Sequence, residues 1–293
     1  MVIAKRTLSS FPYDLFTTKA RSRNLVIMIG TLRGGELAWE SFYNNMLFPN
    51  SADLALLVPN TISQNSSSLF DQATYIWTHD EYDDWGDAID EIAGISSKWR
   101  DVAKKQNGSI LLGGVKIEGT EGSGAVIFML RVFLSKILVR DSIIEKYDRF
   151  VLARSDHFYG CVHDLDLLDN QYLWVPEGED YGGITDRHAV MNRSHILKAL
   201  DILPPLVQHP EKYIGIYKNP ERLIKRRWEE ENLWPLVRRF DRMMFTCADT
   251  GDTTRWMHKS SNKVPEGVYL KYFNEYNATK FTCEGKYVLS EIE

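Results

Sequence analysis

The sequence predicts an α/β protein built on a mostly parallel sheet flanked by helices. Three observations carry that expectation: apolar runs of strand length that end at glycine, proline or a sudden change to charge, stretches of helical composition between them, and no repeat at any fixed period. A strand covered on both faces needs no polar alternation, so it reads as an unbroken apolar run.

The elements follow in order. Residues 24–30 (NLVIMIG) form such a run, stopped by Gly30, and 37–47 reads as a helix. A second run, 53–58, ends at Pro59, and 75–78 is a third short one; the opening pattern is β, α, β. After an acidic, aromatic patch (HDEYDDW, 79–85), residues 85–105 have helical composition and stop at the turn pair Asn107-Gly108. Residues 110–115 are expected as a strand, 119–124 (GTEGSG) as a loop, and 125–140 as a long amphipathic helix. Residues 148–153 form an apolar strand that ends abruptly in Arg154-Ser155-Asp156-His157.

The second half is less regular. A short strand is expected at 172–175, an acidic glycine-rich turn at 176–183, and a strand at 187–192. A helix with Ser194 as N-cap is expected over 194–203, stopped by Pro204-Pro205, and a charged helix over 220–232 with proline in its first turn. The last fifty residues mix short strands and loops. One domain over 1–293 is expected, with a soft division near residue 120.

Composition narrows the function. The 293 residues carry 35 Lys and Arg against 40 Asp and Glu, a net charge of −5, so the basic excess of a nucleic-acid binder is missing and no nucleic-acid partner is expected. With 44% hydrophobic residues the chain is not a disordered tail, and at this length it can bury about three-quarters of its unfolded surface. Cys161, Cys247 and Cys283 lie far apart with no CxxC pair. That spacing argues against a disulfide framework and a cysteine zinc site and favours a reducing compartment. The opening lacks the apolar core of a signal peptide, and the longest apolar stretch, 125–134, contains Arg131, so no membrane span is expected and a cytoplasmic location is.

Chemistry is expected where strands end, because ligands of open α/β sheets collect outside the carboxyl ends of strands. At RSDH (154–157), Asp156 is a hard oxygen ligand with His157 beside it and His163, Asp164 and Asp166 downstream, a set that could hold Mg²⁺ or Mn²⁺. The structural alternative has Asp156 pairing with Arg154 and HDLDLLD (163–169) as a solvated helix start. In PEGEDYGGITDRHAV (176–190), Glu177, Glu179, Asp180 and Asp186 surround Gly182 and Gly183, whose backbone could approach a ligand closely. A carboxylate there could take the proton of a sugar hydroxyl, or the loop could simply be solvated, with Asp186 and Arg187 a local ion pair. In GTLRGGE (30–36), Gly30, Thr31, Arg33 and Gly34 could cradle a diphosphate. Trp228 and Trp234 read as packing residues, and His258 as a late residue that could complete a metal site.

Taken together, GTLRGG, YDRFVLARSDHFY (147–159), WVPEGEDYGGITDRHAVMNR (174–193) and NPERLIKRRW (219–228) resemble nucleotide-sugar glycosyltransferases of the GT-A type, in particular transferases of large algal (chlorella) viruses and some eukaryotes. The resemblance covers about residues 24–235. It implies a Rossmann-like sheet with a nucleotide-binding half over about 20–160 and an acceptor-side half over 161–293. The donor it implies is a nucleoside diphosphate sugar, UDP-linked by preference, with UDP-xylose or a UDP-hexose as candidates. The acceptor would be an oligosaccharide or glycoprotein, and the location the host cytoplasm if the chain is viral. The family's Asp-x-Asp metal motif is reduced here to one aspartate, so Asp156, helped by His157 or His258, would hold Mn²⁺ or Mg²⁺. Arg33, Arg154 and Arg187, with Gly182 and Gly183, would bind the donor. Asp186 would be the base of an inverting transfer, with Glu179 and Asp180 in reserve. Two other classes compete: a metal-dependent phosphoesterase using Asp156, His157, His163 and Asp164, and a non-catalytic carbohydrate-binding protein stacking sugars on its aromatics.

Overall fold

The computed structural model describes residues 23–63, 67–94, 96–106, 110–251 and 262–285. In chain order these form β1 (Asn24–Ile29), α1 (Gly35–Phe42), β2 (Asp53–Pro59), α2 (Ser68–Gln72), β3 (Ala73–His79), α3 (Trp85–Ala93), α4 (Trp99–Lys105) and α5 (Gly124–Arg140). They continue as β4 (Arg149–Ala153), β5 (His157–Tyr159), β6 (Leu173–Pro176), β7 (Ala189–Asn192), α6 (Ile196–Leu200), α7 (Leu203–Gln208), α8 (Pro220–Glu230), β8 (Val237–Phe240), β9 (Met244–Ala248), β10 (Tyr269–Leu270) and α9 (Phe273–Glu284).

Seven strands form one sheet in the order β3-β2-β1-β4-β7-β6-β8, and only β7 runs against the rest. Both halves of the chain build it. Strand periodicity explains the unbroken apolar runs. Along β1, Leu25 and Ile27 enter a core shared with α3, α5 and α8, while Val26 and Met28 enter a second core shared with α1, α2 and the small sheet. Ala55 and Leu57 of β2, and Phe150 and Leu152 of β4, join the first core; their neighbours join the second. The second sheet, β10-β9-β5, packs with α9 on that other face.

Four expectations are corrected. Residues 110–115 are not a strand: Ile110–Leu112 is a 3-10 turn whose leucines plug the first core. The chain doubles back there because Gly113 passes so close to Glu121 that a Cβ would lie 2.1 Å from its carbonyl oxygen. Residues 85–105 are two helices, parted at Gly94, which holds φ of 73°. Pro204 and Pro205 do not stop a helix but begin α7, where a missing N–H has no intrahelical partner to lose; Ser194 bonds the Asn192 side chain instead of capping.

The fourth concerns cysteine. Cys161 and Cys283 form a disulfide that ties the last turn of α9 to the segment after β5, and Cys247 is free and buried. With the partners 122 positions apart, no spacing motif announces the pair. The bond also removes the ground on which a reducing compartment was expected. Among the described residues no helix is long and apolar enough to cross a membrane.

Candidate functional site

The strand order reverses between β1 and β4, since β1 leads to β2 on one side and β4 lies on the other. Such a switch point opens a crevice at the carboxyl ends of the strands. A cavity of about 210 Å³ lies there. Gly30 and Thr31 line it from the end of β1, Arg154 and Ser155 from the end of β4, and Asp186 and Arg187 from the segment entering β7. Val126, Ile127, Leu130 and Arg131 supply the wall from α5, His79 ends β3 and Glu81 follows it, and Lys271 follows β10.

Local bonds set the geometry of the rim. Ser155 joins two loops: its hydroxyl accepts from the Arg33 N–H at 2.9 Å and donates to the Thr31 carbonyl at 3.3 Å. The Trp39 indole N–H donates to the carbonyls of both Arg33 and Ser155. Gly34, at φ of 96°, lies so close that a Cβ would be 2.7 Å from the Ser155 carbonyl oxygen. Its role is therefore contact between loops, and Arg33 is what that contact positions at the cavity.

Asp156 lies behind the rim and is 3% exposed. Arg154 binds it with two parallel bonds of 2.7 and 2.6 Å, and Arg33 approaches to 3.4 Å. Burial works against the ionised carboxyl, but the two guanidiniums dominate and hold it well below the usual carboxylate range. The structural alternative weighed above for this aspartate is the arrangement found.

Asp186 differs. It is partly buried and lines the cavity, and its carboxylate accepts no hydrogen bond from a described residue. Its own carbonyl receives a 3.2 Å bond from Arg131. Half-buried Glu221 in the first turn of α8 titrates at about 7, raised by burial and by the nearby charge of Asp186. Arg187 reaches the cavity but is held from behind: Nη1 donates to Glu275 at 2.8 Å and Nη2 to the Tyr272 and Tyr181 hydroxyls. Burial opposes its charge, yet Glu275 raises its pKa.

Several expected residues lie elsewhere. Asp180 accepts two bonds from Arg239 and one from the Thr185 N–H, which anchors the acidic loop. Glu179, at φ of 57°, accepts from the Tyr181 hydroxyl. Gly182 and Gly183 do not line this cavity. A Cβ on Gly183 would stand 2.1 Å from the Glu221 backbone, so the pair lets this loop pack against α8. Asp164 caps the turn Leu165–Leu167, and the His157 and His163 rings are buried with no protein partner for any ring nitrogen. The four phosphoesterase candidates thus face no common opening.

The donor set at RSDH does not fit a divalent metal. Both Asp156 oxygens are bonded to Arg154, the His157 ring packs against Tyr159 and His188, and His258 lies outside the described residues. In the sequence Arg131 shows only as a charge interrupting an apolar stretch, and nothing there marks Lys271, His79, Glu81 or Glu221 as site residues. Arg131, a cation on the inward side of an apolar helix, is the one signal that could have been read. No protein-family model matches the chain, and no curated protein does.

Proposed function

We propose that the chain is a glycosyltransferase with a GT-A-type fold. It would move a sugar from a nucleoside diphosphate sugar, UDP-linked by preference, to a hydroxyl of an oligosaccharide or glycoprotein. The observation that carries this reading is the lining of the cavity: five cationic side chains, Arg33, Arg131, Arg154, Arg187 and Lys271, with the unbonded carboxylate of Asp186 among them. The six same-direction strands and the position at the switch point support it as well.

The charges suit the reaction. As the bond from the anomeric carbon to the diphosphate breaks, negative charge grows on the leaving oxygen and positive charge on the sugar. Cations fixed before the reaction stabilise the first without reorganising. The acceptor oxygen attacks the anomeric carbon on the face opposite the diphosphate while Asp186 takes the hydroxyl proton, so configuration inverts. Arg131 would set the height of Asp186 through its carbonyl.

Thermal unfolding with nucleoside diphosphates tests the reading. UDP is expected to raise the melting temperature by mass action, GDP less so, and a chain indifferent to every nucleoside diphosphate would overturn the proposal. A hydrolysis panel across nucleotide sugars then identifies the donor. Asp186→Asn is expected to keep donor binding and to cut turnover about a hundredfold or more; unchanged turnover removes Asp186 from the role of base.

A further inference from the structure

We infer that the charge of the bound diphosphate is neutralised by side chains of this chain, chiefly Lys271 and Arg131, with no divalent ion between protein and phosphate. The inference rests on the reading of the cavity as a nucleoside diphosphate site and names how that site handles charge. Its starting point is the mismatch at RSDH, where the carboxylate that a metal would need is already bonded to two guanidiniums.

Two cations are left with unused capacity. Arg131 is 6% exposed on α5; Nη2 bonds the Asp186 carbonyl, and Nη1 finds no protein acceptor. An unmet buried N–H is destabilising, and one on a residue that lines a cavity is satisfied by a ligand that accepts. Lys271 also lines the cavity; its ammonium lies 5.4 Å from the Tyr272 ring, and no carboxylate among the described residues is bonded to it. Burial and the charges of Arg154, Arg187 and Arg33 bring its pKa down to about 8. An anion relieves that crowding and a dication worsens it. Against five cations the lining offers a metal Asp186, the buried imidazole of His79 and, at the exposed mouth, Glu81. Phosphate oxygens match the guanidinium fork of Arg131 and the point charge of Lys271.

Calorimetric titration of the full chain with UDP, uridine and inorganic pyrophosphate, in EDTA and in Mn²⁺, provides the test. UDP and pyrophosphate are expected to bind in EDTA within about twofold of their affinity in Mn²⁺. Lys271→Ala is expected to weaken both at least tenfold while leaving uridine binding and the melting temperature unchanged, and Lys271→Arg to recover most of the loss. Binding of UDP that requires Mn²⁺, or that ignores Lys271→Ala, overturns the inference and leaves the transferase reading intact. Pyrophosphate binding in EDTA that depends on Lys271, without UDP binding under any condition, supports the cationic site and overturns the nucleotide reading instead. No binding of either overturns both.

Discussion

Two buried polar clusters meet at the junction of the sheets and solve the same physical problem in opposite ways. Around Glu275, on α9, every charge has a direct partner: Oε1 accepts from Arg187 at 2.8 Å and Arg242 at 3.1 Å, and Oε2 from the Thr246 N–H at 2.6 Å. The cluster around His188 is made of neutral rings, and no charged group is bonded to them. The His163 ring lies 5.4 Å and the His157 ring 6.3 Å from that of His188, Phe240 packs on His163 and His188, and no described group bonds any of the six ring nitrogens. A buried group can be kept by giving its charge a partner or by giving up the charge. The first cluster orients Arg187 at the cavity; the second is inert at neutral pH and vulnerable to acid.

Acid is therefore expected to have the largest effect. Burial lowers His157 to about 3, against the pull of Asp156 and Glu275, and lowers His163 to about 4. For His188 burial is reinforced by His163, His157 and Arg242, and its pKa falls well below the ordinary value. Because the folded values lie below the unfolded value of about 6.5, the unfolded chain binds more protons between about pH 6.5 and 4. Stability is complete above pH 6.5 and lost as the pH falls. By pH 5 each neutral buried histidine gives up about 2 kcal/mol. Urea midpoints that are equal at pH 7 and pH 5 would show that the rings are not held neutral.

Removing the central carboxylate of the other cluster should come next. Glu275→Ala leaves Arg187 and Arg242 buried without their shared partner, and breaking one side of a buried ion pair costs about 3–5 kcal/mol. A loss below about 1 kcal/mol in urea unfolding would show that the pairing is incidental. The disulfide should follow. Cys283 closes the helix that carries Glu275, and replacing Cys161 and Cys283 by serine is expected to cost about 2–4 kcal/mol through the freed loop of the unfolded chain. Reduction of the native chain should reproduce that loss, and failure to do so would assign it to the serines.

The two clusters also show what was legible in the sequence. Strands covered on both faces announce themselves by composition alone, which is why β1, β2 and β4 lie where apolar runs predict them. Runs that serve as plugs look the same, so 110–115 misleads. The ends of β1 and β4 were legible because polarity changes there, and Arg33, Arg154, Asp186 and Arg187 do gather at one cavity or directly behind it. What the chain could not disclose is which charges already have partners. Asp156 and Asp180 look as available as Asp186 in one dimension, and only folding brings Arg33 and Arg239 to them. α9 was missed because it buries Glu275 and Thr279 with Tyr276, leaving no apolar stripe to detect.

The smallest effect gives the sharpest contrast. His163→Leu deletes a ring that makes no hydrogen bond and rests at 4.5 Å on Phe240, and it substitutes an apolar group of similar bulk. When a polar group without a partner gives way to an apolar one, stability changes little or improves. At pH 7 the variant is expected to lie within about 1 kcal/mol of the parent, where Glu275→Ala loses several. Between pH 7 and pH 5 it should lose less than the parent by about one histidine's share, about 2 kcal/mol, because one proton-binding site of the unfolded chain is gone. Urea unfolding at both pH values reads the two differences at once. A large loss at pH 7 would mean that the His163 ring is bonded as firmly as Glu275, and the distinction between the clusters would then vanish.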